Sequence, residues 1–153
     1  MTNNFRLYDF LSPERIIDIQ SDSKDDALKE LVEVIATSKE VSSRKIFEKK
    51  VFERERLMST GIGYGIAVPH IRDDSISNFV IAIGRKTAGI KYDSIDNKPV
   101  KLIFMIGASH KQDKEYVRVL SRLVLRLKNK EFIKQLLKIK HPQDIYNLIK
   151  EHE

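Results

Sequence analysis

The stretch Met58-Ser59-Thr60-Gly61-Ile62-Gly63-Tyr64-Gly65-Ile66-Ala67-Val68-Pro69-His70 divides the chain into two differently patterned halves. Three glycines at alternating positions, Gly61, Gly63 and Gly65, cannot sustain a helix. Ile66-Ala67-Val68 reads as a short strand, and Pro69 disfavours helix at Val68, so the chain enters His70 extended. Upstream the pattern is helical. After a candidate strand at Ile16-Ile17-Asp18-Ile19 come the candidate N-caps Ser21 and Ser23. Asp25 and Asp26 then fall in a first turn, where a helix dipole favours acids. Ala27, Leu28, Leu31, Val32, Ile35 and Ala36 recur at helical spacing. A second helix starts at Ser42 or Ser43 and is expected to carry Ile46, Phe47, Val51 and Arg54 on one broad face.

Downstream the period shortens. Phe79–Ile83 and Val100–Ile106 read as strands, joined through a turn-rich connection from Asp93 to Pro99. The last third is helical again. Tyr116, Val119, Leu120, Leu123, Val124 and Leu127 share one face. Phe132, Ile133, Leu136 and Leu137 form a second segment, and Pro142 opens a third with Ile145, Leu148 and Ile149 inward. Strands bracketed by helices predict an α/β fold with a single mixed β-sheet flanked by helices.

Composition narrows the class. The 153 residues form one domain by length, with no repeat and no linker rich in proline or glycine. Hydrophobic residues at 41% suffice for a core. There is no cysteine, which excludes disulfides, thiol catalysis and cysteine-based zinc sites. Apolar runs such as Leu102–Ile106 are far shorter than the ~20 residues of a membrane span. Met1 to Arg6 lacks the basic start and apolar stretch of a secretory signal. A cytoplasmic protein without stable membrane insertion is the expectation.

The chemistry concentrates between Ser59 and His70. Glycines at 61, 63 and 65 let backbone amides approach an anion, because no Cβ intervenes. His70, just past a short strand and behind a rigid proline, is presented at a sheet end, where sites tend to sit. Arg54, near the end of the preceding helix, offers a planar fork suited to phosphate oxygens. These parts describe a phosphate pocket with one nucleophilic imidazole, although a lone histidine is ordinarily a surface residue. The G-x-G-x-G order, preceded by helix, is not a dinucleotide fingerprint. The phosphate-loop ending Gly-Lys-Ser/Thr and the Gly-x-Ser-x-Gly elbow are both absent. His70, Asp73, Asp74 and His110 show no recognised ligand spacing, so no metal is expected.

The run from Ser59 to His70 resembles the signature of type-2 enzyme IIA domains of the bacterial phosphotransferase system, the fructose/mannitol class and its nitrogen-regulatory branch. Arg54-Glu55, Ser94-Ile95-Asp96-Asn97-Lys98-Pro99-Val100, the strand Leu102–Ile106 and the helix bearing Leu120-Ser121 fall where that family has counterparts. The resemblance covers roughly residues 5–149. It implies the family's mixed sheet flanked by helices and a phosphocarrier function without cofactor. His70 would receive a phosphoryl group through Nε2 from an HPr-type donor and pass it to a IIB domain or regulated protein. Arg54 would neutralise the phosphate, and the loop of Ser59, Thr60, Gly61, Gly63 and Gly65 would shape the pocket. The Ile95-Asp96-Asn97-Lys98-Pro99-Val100 run is more like the nitrogen-related branch, which implies regulation, with sugar uptake or a non-transferring binding module as alternatives.

Two residues depart from the family pattern. Ile71 stands where a glycine usually follows the active histidine, and its side chain is expected to narrow a partner's approach. Tyr116 falls at the position of a second, assisting histidine. It can donate a hydrogen bond but carries no charge at neutral pH. His110, six residues earlier, is a loop alternative to it. The chain also carries a formal charge of +6, and Lys111 to Lys150 holds eleven Lys/Arg against four Asp/Glu, a net of +7. Arg118, Arg122 and Arg126 recur along one helix stripe. Without interleaved aromatic residues or a reader motif, that stripe predicts a solvated face and no nucleic-acid partner.

Overall fold

The structure is a computed structural model that describes residues 6–153; the Met1–Phe5 segment lies outside it. Two 3₁₀ turns, Leu7–Phe10 and Pro13–Arg15, lead into strand β1 (Ile16–Asp18). Helices α1 (Lys24–Ile35) and α2 (Arg44–Leu57) follow, then the short strands β2 (Gly61–Gly63), β3 (Ile66–Ala67) and β4 (His70–Arg72). The long strands β5 (Val80–Ile90) and β6 (Val100–Ala108) form the centre of the sheet. Helices α3 (Asp113–Leu127), α4 (Lys130–Lys138) and α5 (Ile145–Glu151) close the chain.

The sheet order is β1-β5-β6-β3-β2, with β4 also on β6. β1 runs parallel to β5, β5 antiparallel to β6, and β3 and β4 parallel to β6, so the sheet is mixed. Ile66 faces Leu102 and His70 faces Ile106, so β3 and β4 keep one register along β6. They are one strand interrupted at Val68-Pro69, where proline has no N–H to give the ladder.

Period-two alternation on the central strands sorts the core into two clusters. Ile81, Ile83, Phe104 and Ile106 face α3, α4 and α5 on one side. Val80, Ala82, Ile103 and Met105 face α1 and α2 on the other. A three-layer sandwich results. Local signals do what their chemistry dictates: the side chains of Ser23 and Ser43 accept the amides of Asp26 and Ile46 at the N-termini of α1 and α2. Ser21 instead donates to the Glu30 carboxylate. On α2, Phe47 and Val51 are buried, whereas Ile46 is 43% exposed and lies off the packed face.

The glycine-rich stretch is a β-hairpin. Tyr64 and Gly65, at φ 59° and 77°, turn the chain between β2 and β3, and glycine is the natural occupant of the second position. β5 runs well beyond Ile83, through a register irregularity between Arg85 and Ile90. Pro142–Asp144 forms a 3₁₀ turn ahead of α5, with proline in the position expected for it.

Candidate functional site

His70 opens β4 opposite Ile106, so its ring leaves the sheet on the α3 face. Its Nδ1–H donates to the carbonyl of Val68 at 2.6 Å. The acceptor is a carbonyl, so Nδ1 must carry the proton, and Nε2 keeps a free lone pair. The Val68 amide already donates to Thr60 at 3.0 Å, on the side away from β6, and leaves its carbonyl clear of that ladder. Burial pulls the imidazole below its ordinary pKa, and the charge of Arg54 adds to that against the Val68 bond. The result is a neutral ring at physiological pH.

Arg54 stands in the last turn of α2, and its Nη1 donates to the Met58 carbonyl at 2.8 Å. That bond satisfies a helix-end carbonyl and holds the guanidinium at the sheet edge. Tyr116, buried on α3, has its ring centre 6.0 Å from that of His70 and stacks on Phe79 at 6.5 Å. Burial pushes its hydroxyl up to about 12, with Arg72 and Arg54 pulling the other way, so it is a neutral donor. His110 is exposed and bonded through Nδ1 to Asp74 at 3.1 Å.

Two clefts meet at His70 and Arg54. One, of about 710 Å³, is basic, with Lys50, Arg56, Arg72 and His110 in its wall. The other, of about 550 Å³, is largely apolar and includes Met58, Ile62, Ile95, Leu120 and Val124. An imidazole on the shared wall is open to groups arriving through either.

The loop that precedes the histidine behaves differently from an anion cradle. The Gly63 amide binds Ser94 Oγ at 3.2 Å, and the Tyr64 amide binds the Asp96 carboxylate at 3.3 Å. A Cβ at Gly61 would sit 2.7–2.9 Å from Ser94, so glycine there permits close approach of the 93–97 turn. Ser59 Oγ donates to Tyr92 O at 3.1 Å. Ser59, Thr60 and Gly61 therefore build the wall of the apolar cleft, and Gly63 and Gly65 shape the hairpin behind it. The anchor of this loop is a residue that spacing does not single out. Glu55, 8% exposed, accepts from the Thr60 amide at 2.8 Å, the Thr60 hydroxyl at 2.5 Å and the Tyr92 hydroxyl at 3.1 Å, and pairs with Lys24 at 3.1 Å.

Ile71 lines the basic cleft next to His70, but most of its side chain is directed elsewhere. It pairs with Gly107 on the opposite sheet face and is buried with Phe47, Val51 and Ile76. The arginine stripe of α3 is partly used internally: Arg126 binds the His152 carbonyl and lies 3.9 Å from Glu153, while Arg118 is exposed. Among the described residues, no three histidine or acidic side chains converge as metal ligands. No helix there is long and apolar enough to cross a membrane.

Residues 9–152 match the sequence profile of the family described as "Phosphoenolpyruvate-dependent sugar phosphotransferase system, EIIA 2". The chain belongs to this family. Among relatives of this EIIA chain is the fructose-specific EIIABC component of Bacillus subtilis, 35% identical over 90% of the chain and 22% of that longer protein. A nitrogen regulatory protein of Klebsiella oxytoca is 33% identical, over 87% of the chain and 82% of that protein. Among solved structures, nitrogen regulatory protein IIA-Ntr from Neisseria meningitidis superposes with a TM-score of 0.86 at 27% identity, covering 94% and 98% of the two chains. The mixed sheet flanked by helices is thus the fold of EIIA relatives, and phosphoryl carriage is the activity of such domains.

Proposed function

We infer that this EIIA chain is a cytoplasmic phosphocarrier of one domain that takes a phosphoryl group onto His70 Nε2 from an HPr-type phosphohistidine protein. The observation that carries the reading is the bond from His70 Nδ1–H to Val68, which leaves Nε2 unprotonated on an imidazole that shares its cleft with Arg54. In the transfer the Nε2 lone pair forms a bond to phosphorus as the donor's N–P bond breaks, and the electron pair of that bond returns to the donor imidazole. The transition state is loose, so the protein's task is to align the nitrogens and balance spread charge. Arg54 supplies a planar cation for the phosphoryl oxygens, and Tyr116 supplies a neutral hydroxyl beside the ring. Nδ1–H against Val68 steadies the ring as it gains positive character. No cofactor takes part.

The downstream role is regulatory in this reading, supported by likeness to nitrogen regulatory proteins. Delivery to a IIB domain is the second reading, favoured by the 35% identity to a fructose-specific component. Intact-mass spectrometry after incubation with phosphoenolpyruvate, enzyme I and HPr tests the common step. An acid-labile adduct of one phosphoryl group is expected in the wild type and not in His70→Ala. An adduct that survives in His70→Ala refutes the assignment, and a wild type that no donor labels points to a non-transferring module.

A further inference from the structure

One cation at the site has no part in that mechanism. Arg72 lies two residues beyond His70 on β4 and faces Ala108 as His70 faces Ile106, so both side chains leave the same face of the sheet. Its guanidinium carbon stands 5.0 Å from the centre of the Tyr116 ring, which is itself 6.0 Å from the centre of the His70 ring. It lines the basic cleft together with His70 and Arg54. One guanidinium nitrogen is engaged by the carboxylate of Asp113, the first residue of α3.

The geometry points to Arg72 as a second phosphate-binding arginine, latched to Asp113 at rest and turned onto the phosphoryl oxygens once His70 is phosphorylated. This rests on the phosphocarrier reading. Two residues along a strand span about 6.7 Å, within the sweep of an arginine side chain. The latch is weak by construction: its side chains are 37% and 71% exposed, and exposed ion pairs are held loosely. Asp113 does not need the arginine, since the amino end of α3 favours an acid in its first turn. A phosphoryl dianion is the better partner for the guanidinium fork.

Tyr116 then has a further purpose. Its ring face carries the guanidinium through a cation–π contact and limits the swing to the distal torsions. With Tyr116 uncharged, Arg72 supplies the cation on the α3 side of the phosphoryl group, across from Arg54. Asp113 is the element that senses the change, because phosphorylation leaves its carboxylate free at the rim of the cleft.

Phosphoramidate tests this on the full chain without a protein donor. His70 Nε2 bonds to phosphorus, the P–N bond breaks, and ammonia leaves. The rate of adduct formation is read by intact mass, and the second ionisation of the bound phosphoryl group by phosphorus NMR. Arg72→Gln is expected to label about tenfold more slowly, the loss of one charge-assisted bond, and to move that ionisation to higher pH. Arg72→Lys restores part of both effects, and Asp113→Asn labels faster than wild type. Wild-type rate and ionisation in Arg72→Gln overturn the assignment, and an unaccelerated Asp113→Asn overturns the latch. Far-UV circular dichroism checks that each variant is folded. Labelling that fails in the wild type, or persists in His70→Ala, removes the phosphocarrier reading itself and this inference with it.

Discussion

Replacing Glu55 with alanine should destabilise the protein by about 3–5 kcal/mol, the range for removing one partner of a buried ionic group. The structure supplies the parts of that figure. The Thr60 amide loses its acceptor at 2.8 Å, and one hydroxyl hydrogen of the Thr60–Tyr92 pair is stranded. Each such buried donor costs about 1–3 kcal/mol. The two hydroxyls keep each other at 3.0 Å, and Lys24 keeps the face of Tyr92 at 4.4 Å, which holds the total below a plain sum. Glu55→Gln keeps the shape and an acceptor for Thr60, loses the charge, and should cost about 1.5 kcal/mol. The assay is urea unfolding followed by far-UV circular dichroism, with the slope checked against wild type so that a shifted midpoint reports stability. The alanine variant should also melt about 10 °C lower, given 2–4 °C per kcal/mol at this chain length. A loss under about 0.5 kcal/mol, the range of neutral surface changes, would refute the reasoning. So would a glutamine variant as weak as the alanine one.

Three further outcomes follow from the same geometry. Gly61→Ala should lose about 1–3 kcal/mol, because its Cβ meets Ser94 backbone and side chain alike, and a chemical-shift map should show the 93–97 turn displaced. Ile71→Ala should lose about 2–5 kcal/mol of stability from its buried site, measured by denaturant, while labelling by phosphoramidate proceeds at the wild-type rate; faster labelling would show that Ile71 narrows the cleft. His70 has a folded pKa below its usual 6.5, so between that value and the lower folded one the unfolded chain binds the proton and the native chain does not. Its contribution is present above about 6.5 and lost as pH falls through that window, so stability there should drop with pH more steeply in wild type than in His70→Ala. An identical pH dependence in the two proteins would show that the ring is not held neutral.

Periodicity carried most of the fold. The faces of α1 and α3, the serine caps and the central strands follow from apolar spacing, which the two-sided burial of the sheet reinforces. Gly61 to Gly65 escaped because glycine says what a segment cannot be; Ser94 and Asp96, thirty residues on, brace it as a hairpin. The burial of Ile71 against α2 was not legible, because its face depends on β4's register with β6, which no local pattern encodes. The candidate site was legible at His70 and Arg54 through a motif. Glu55 sits in an Arg-Glu-Arg run that looks like any solvated helix face, and its burial depends on Thr60, Tyr92 and Lys24 converging from elsewhere. Arg85 hid in the same way: it is 4% exposed within β5, bound to Asp18 and to carbonyls at the end of α4.

The sandwich has a consequence for partial unfolding. His70 and Arg72 come from the sheet, Tyr116 from the layer on one side, and Arg54 with its Glu55 anchor from the layer on the other. A form with either layer detached keeps the histidine and loses the constellation around it. On the proposed function, loss of activity should therefore precede global melting whenever α2 or α3 opens as a unit, and competence for phosphoryl transfer would report on the docking of both layers at once. Amide exchange slow in β5 and β6 with fast exchange in either helix would mark a molecule that is still folded by spectroscopy and already silent as a carrier.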